Sequence, residues 1–439
     1  PAYSTVSFIY EGRMSAIQDH PLRYELANEL HARPFPSLDA PGRVAYLAFT
    51  QNTEGGDHSR LNARDQLIAL LDRFGETHPQ PDATHYFGAL GRHQLKWEQH
   101  TEFVTYSLFS TGGAERPFDP AEFEAFPEDW LQSVTAERIT SINLRVETRI
   151  SDDEISQSLA EWFVPESLTV SEVLDKSAVV AGDFRVDASG HQRFALFVAA
   201  ETGPRRIGRV IQRICEIETY KSMSMLGFST ARSISPRMAQ IDAELSELMA
   251  DMTQAQKSPE RTLDALLKIS AELENLSAQV AFRFGATGAY EAIVNQRIQV
   301  LREERFTGRQ TFGEFMMRRY DPAMRTVKAS ERRLSAMADR AMRAGNLLRT
   351  RVDVERSAQN QSLLESMNAR ADLQLRLQKT VEGLSVVAIS YYAVSLAGYL
   401  MSPLASPLAI SANSLKATVT LPVVLLVWWA IRRIRKRIE

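Results

Sequence analysis

Gly383-Leu384-Ser385-Val386-Val387-Ala388-Ile389-Ser390-Tyr391-Tyr392-Ala393-Val394-Ser395-Leu396-Ala397-Gly398-Tyr399-Leu400-Met401 carries no charged side chain. A helix needs roughly 20 such residues to cross the hydrocarbon of a bilayer, and this run has that length. A second apolar run, Ala417 to Ile431, is shorter. It becomes long enough if it begins near Ala409 and tolerates Lys416, or if the arginines after it snorkel to the interface. Trp428 and Trp429 stand where an interfacial aromatic belt belongs, and five of the six residues Arg432-Arg433-Ile434-Arg435-Lys436-Arg437 are basic. The positive-inside rule puts this tail in the cytoplasm. Two crossings then put the N-terminal bulk there too, with Ser402-Pro403-Leu404-Ala405-Ser406-Pro407 outside. A buried helical hairpin in a soluble protein is the competing reading.

The first run has an internal pattern. Gln378, Ser385, Tyr392 and Tyr399 recur every seven residues, with Ser395 between the last two and Ala388 completing the stripe. Such spacing places them on one helix face. A polar stripe inside a bilayer faces other helices or water, not lipid. With two spans per chain, a pore needs several copies. Its lining candidates are Ser385, Tyr392, Ser395, Gly398, Tyr399 and Ser402, with Gln378 and Glu382 at the cytoplasmic entrance. The alternative is that small and hydroxyl residues pack the two spans together.

From 325 to 379 there is no proline, and Gly345 is the only glycine. Leu334, Met337, Leu348, Val352, Leu363, Met367 and Leu377 recur at helical spacing. The pattern predicts one helix running into the first span, on the order of 110 Å long. A helix of that length needs partners. Earlier helices expected at 205–225, 238–255, 259–284 and 290–305 supply some. Ser258-Pro259 with Glu260 reads as a helix start, and Gly285-Ala286-Thr287-Gly288-Ala289 as a loop between helices.

Residues 1–200 change character. β-rich runs occur at 43–50, 83–91, 94–110, 142–150, 178–186 and 193–199, and helical patterns at 60–74, 121–125 and 152–162. Asp187-Ala188-Ser189-Gly190 reads as a hairpin turn. The fold class is therefore α+β or α/β for residues 1–200, a helical stalk over 201–380, and a membrane hairpin with a basic tail over 381–439.

Net charge is −3 with 24% charged residues, so nothing in the balance argues for nucleic acid. Cys215 is the only cysteine, which precludes an internal disulfide or a multi-cysteine metal site and fits a reducing compartment. Its apolar helical neighbours make it a packing residue. Pro1-Ala2-Tyr3-Ser4-Thr5 has neither a basic nor an apolar leader region, so no signal peptide is read.

Two polar clusters are ligand-site candidates. Glu29, His31 and Arg33 crowd before Pro34. Glu98, His100 and Glu102 alternate, so on a strand they share one face. Such a carboxylate–imidazole–carboxylate row suits a divalent ion or a paired base; the plain reading is an exposed polar face. No dinucleotide, Walker, zincin or nucleophile-elbow motif occurs, so neither an enzyme nor a cofactor is expected.

His20-Pro21-Leu22-Arg23, Glu29-Leu30-His31-Ala32-Arg33-Pro34, Glu216-Ile217-Glu218-Thr219-Tyr220, Leu348-Arg349-Thr350-Arg351-Val352-Asp353-Val354 and the run from Leu375 to Tyr392 resemble a family of bacterial membrane-anchored proteins known as a domain of unknown function. That resemblance covers essentially the whole chain and implies a protein of the bacterial inner membrane. More remotely, an α/β domain, a long helix entering the first span, a short outer loop, a second span and a basic tail resemble the CorA magnesium-transporter superfamily. This second resemblance implies a homo-pentamer with the first span lining a pore. The superfamily's Gly-Met-Asn signature is replaced here by Gly398-Tyr399-Leu400-Met401-Ser402, so no magnesium selectivity is carried over. The expected function is a CorA-like, homo-oligomeric cation channel or transporter; the alternative is a non-conducting membrane scaffold whose α/β domain binds a ligand or partner. A third reading, a membrane-bound enzyme using the Glu98–His100–Glu102 row, has no catalytic motif behind it.

Overall fold

The computed structural model describes residues 20–23, 35–50, 57–81, 83–253, 259–401 and 412–438. They divide into two compact units, Pro1–Glu247 with Leu267–Met342, and Leu248–Leu266 with Arg343–Glu439.

The first unit is built on a mixed nine-stranded sheet. Its strands are β1 (Gly42–Thr50), β2 (His85–Leu90), β3 (His93–Gln99), β4 (Phe103–Thr111), β5 (Arg138–Thr148), β6 (Thr169–Val173), β7 (Ala178–Val186), β8 (Gln192–Val198) and β9 (Glu304–Arg305), in the spatial order β2-β3-β4-β1-β5-β8-β7-β6-β9. Every pairing is antiparallel except β5 with β8. The run expected as one strand over 94–110 is a β3–β4 hairpin, closed where His100 N–H donates to Phe103 O at 2.8 Å. β6 and β9 were not anticipated, because runs of five and two residues are too short to show a period. The turn at Asp187 was: its carboxylate accepts from the N–H groups of Ser189 and His191, and Gly190 takes φ +85°.

Alternation divides the side chains between two faces. One face packs Leu47, Phe49, Trp97 and Tyr106 against α1 (Asp57–Phe74) and α2 (Glu128–Ser133), where Leu67, Leu71 and Trp130 are buried. Further along, Val170, Val179 and Phe197 pack against Ile155 and Leu159 of α3 (Asp152–Trp162), whose start is fixed by the Ser151/Glu154 capping box. The opposite face receives α4 (Pro204–Thr253) and is polar for a buried surface: Lys96, Thr105, Ser107 and Thr140 all lie on it.

α4 and α5 (Pro259–Leu301) are each continuous where shorter helices were expected. Gly285-Ala286-Thr287-Gly288-Ala289 is helix interior, not a loop. Packing is tight at Thr287 alone of these, since a Cβ on Gly227 of α4 would overlap its side chain, whereas Gly285 and Gly288 face open space. After the short α6 (Phe312–Arg319), α7 runs from Asp321 to Met401 without a break, as the sequence predicts. Within the first unit, Arg333 and Arg340 of α7 donate to Asp242 of α4 at 3.0 and 2.9 Å.

The Arg333 hydrogen bond, aided by the charges of both arginines, holds the Asp242 carboxyl below its ordinary range. A carboxylate depressed in the folded state contributes stability above its unfolded pKa and loses it as pH falls through the folded value. Asp242→Asn is therefore expected to lower stability slightly at neutral pH and to flatten the acid limb of a thermal-melt profile. An unchanged acid limb would remove this pair from the account.

In the second unit, Ala344, Leu348 and Val352 are buried beside the ends of α4 and α5, where Arg351 donates to Met252 O at 3.0 Å and Arg356 pairs with Glu260 at 3.0 Å. From 353 to 381 every residue of α7 is exposed, including Leu363, Leu364, Met367, Leu373, Leu375 and Leu377. The remaining helix, α8 (Ala412–Ile438), contains the second apolar run. α7 and α8 are each long and apolar enough to cross a membrane.

Candidate functional site

The polar face of the sheet forms a seam with α4 and α5. Lys96 on β3 is 4% exposed. Its ammonium meets Glu98 Oε2 at 3.0 Å and donates to Gln212 Oε1 on α4 at 3.1 Å. Gln212 Nε2 donates to Glu216 Oε1 at 2.7 Å, and Glu216 in turn pairs with Arg297 of α5. Charges alternate along this chain, which is how a buried lysine is tolerated. The cavity beside it, about 30 Å³, has room for about one water. Cys215 lines it; burial, then the Glu216 charge, pushes its thiol well up, so it stays protonated and unreactive.

The Glu98–His100–Glu102 row does not form. β3 ends at Gln99, so Glu102 lies beyond the turn. Glu98 belongs to Lys96. His100 stacks on Phe103 with ring centroids 4.4 Å apart. Glu102 is buried, accepting from Arg283 at 2.6 Å and from the Tyr290 hydroxyl at 2.5 Å, both on α5. Burial, then the Glu102 contact, pushes the Tyr290 phenol up, so it serves as a donor. Among the described residues no group of three or more His, Cys, Asp or Glu side chains is placed to hold a metal ion. Glu29, His31, Arg33 and Ser402 lie outside the described residues.

Beyond the seam, where the β3–β4 turn meets α4 and α5, an open cleft of about 300 Å³ is walled by Phe103, Tyr220 and Tyr290, with His100 at its edge. Sequence reasoning singled out His100 but not the aromatics, which come from three distant segments. One signal was present: Tyr220 ends the phrase Glu216-Ile217-Glu218-Thr219-Tyr220.

In the second unit, Ser390 and Gly398 are the two buried residues of the apolar run 383–401. A Cβ on Gly398 would stand 3.1 Å from the Lys416 side chain, so α8 crosses α7 there. Gly398, expected with the pore-lining residues, is part of this helix contact. Ser385, Tyr392 and Tyr399 are all exposed. At 3.6 residues per turn they lie about 180–220° around the helix from Ser390. Ser395 is half-buried between the two faces. The Ser385 hydroxyl donates to Val381 O at 2.8 Å, which satisfies it without a neighbouring helix. Gln378 donates to Glu382 at 3.3 Å, joining the two residues expected at the entrance. The Lys416 ammonium lies 5.6 Å from the Tyr399 ring, while Arg432 and Arg433 sit over Trp428 and Trp429.

A mixed nine-stranded sheet and long helices define the class: an α+β protein with two helices long and apolar enough to cross a membrane. The chain matches the profile of the family described as Protein of unknown function (DUF3422) over residues 18–438, and belongs to that family. Among curated proteins it has no significant match.

Proposed function

We infer that this chain is a homo-oligomeric, CorA-like protein of the bacterial inner membrane that conducts or transports cations, with α7 as the innermost helix of each copy. The observation that carries this reading is the exposure of the stripe. Ser385, Tyr392 and Tyr399 are exposed in a single chain, with Lys416 of α8 reaching the Tyr399 ring. A row of hydroxyls facing lipid is costly, whereas a row facing an axis lines a polar path. Glu382, repeated around that axis, concentrates cations at the cytoplasmic end, and the basic tail after Trp429 orients both ends of the chain inward. Lys416 near Tyr399 opposes cations at the outer end, and the balance of the two sets the rate.

Flux into proteoliposomes tests the reading with Mg²⁺, other divalent ions and K⁺ or Na⁺ in turn. Uptake of at least one ion is expected, reduced severalfold by Glu382→Gln and altered by Tyr399→Ala or Ser395→Ala. A correctly assembled oligomer that passes none of them rejects conduction. The second reading, a non-conducting anchor that presents a ligand-binding domain, is favoured by one observation: the cleft at Tyr220 and Tyr290.

A further inference from the structure

The cleft at the β3–β4 turn has a chemistry of its own, independent of conduction. Its volume of about 300 Å³ falls at the lower end of the range for small-molecule sites. Its walls are aromatic. The Phe103 and Tyr220 rings lie 5.5 Å apart at 80°, Phe103 and Tyr290 6.4 Å apart at 65°, and the two tyrosines 5.5 Å apart and tilted by 33°. Around them stand groups that donate and accept hydrogen bonds: the Gln99 amide, the His100 imidazole and the Thr101 hydroxyl.

The walls are held in place from behind. Glu102, 2% exposed, ties the β3–β4 turn to α5 through Arg283 and Tyr290, and Phe103 is equally buried. The cleft is therefore formed before any ligand arrives, which lowers the cost of binding.

Charge decides the ligand class. Among the described residues, no Asp, Glu, Lys or Arg lines the cleft. An organic cation would find aromatic faces but no counter-charge in the lining, because the Glu102 carboxylate is already engaged. An anion would find no ammonium or guanidinium. A neutral flat ring finds both surfaces it needs: aromatic rings to stack on, and amide, imidazole and hydroxyl groups at its edge.

We propose that this cleft binds a neutral heteroaromatic ring of nucleobase size, stacked against Tyr220 and Tyr290 and read at its edge by Gln99, His100 and Thr101. Binding joins the β3–β4 turn to α4 and α5, so ligand occupancy stiffens the contact between sheet and helices.

The test is calorimetric titration of the full chain in detergent with adenosine and uridine, and with choline and benzoate as charged comparisons. At least one nucleoside is expected to bind more tightly than either charged compound. Tyr220→Leu is expected to weaken that binding about tenfold or more while Tyr220→Phe retains it. Ile293→Trp, which fills the cleft from α5, is expected to abolish it and stands in if Tyr220→Leu does not fold. Thermal melts certify that each variant is native. Three results would overturn the proposal: no nucleoside binding to the native protein, tighter binding of choline or benzoate, or unchanged nucleoside affinity in a natively melting Tyr220→Leu or Ile293→Trp variant.

Discussion

Glu102→Ala is expected to destabilise the sheet unit by about 3 kcal/mol, the lower end of the cost of breaking a buried ion pair. The reason is what the substitution leaves behind. The Glu102 side chain is 3% exposed and that of Arg283 20%. Arg283 already has one buried guanidinium nitrogen, Nη1, without a partner. Removing the carboxylate strips the remaining acceptor from the guanidinium and from the Tyr290 hydroxyl, while both stay largely out of water. Chemical denaturation of wild type and variant measures the loss. Arg283→Met in the Glu102→Ala background should recover part of it, since the buried charge goes with it. If the double variant is as unstable as the sum of the two single variants, the pair is not the source of the effect.

Charging the bare stretch of α7 is expected to have the second large effect. Leu363, Met367 and Leu377 are 60%, 57% and 66% exposed, within a run from 353 to 381 that no described part of its own chain covers. Exposed apolar rows of this length mark an interaction surface, and an isolated helix needs such contacts to persist in water. If the hairpin anchors each copy at the same level, copies meet side by side and in register, so identical stretches cover one another. Leu363→Glu, Met367→Glu and Leu377→Glu together should convert the oligomer in detergent to monomer, read by light scattering. The sheet unit should melt as before, because none of the three residues belongs to it. A wild-type protein that is already monomeric in detergent and in membranes would contradict both this surface and the pore reading.

Some features were legible from the sequence for simple reasons. An uncharged run of helix-crossing length needs no tertiary context to be read, and neither does an 81-residue helix whose one proline, Pro322, stands at its second position. Strand alternation located β1, β5, β7 and β8 for the same reason. The burial of Cys215 followed from its apolar helical neighbours.

Elsewhere sequence rules misled in ways that packing explains. Gly285 to Ala289 reads as a loop by composition, yet it is helix interior, and the close approach there is made by Gly227 of α4 against Thr287. Separate helices were expected over 205–225 and 238–255, but α4 is continuous through Pro236, and Arg237 just beyond pairs with Glu272 of α5. Glu98, His100 and Glu102 alternate as a strand face should, yet a hairpin turn intervenes and each side chain takes a different partner.

The sequence by itself determined the two apolar helices, the long unbroken approach to them and the polar stripe, because each is written in local spacing and local hydropathy. Only the tertiary structure decided that Gly398 belongs to a helix contact and that Phe103, Tyr220 and Tyr290 wall one cleft. Those facts depend on which distant segments pack together, and a one-dimensional pattern holds no record of that.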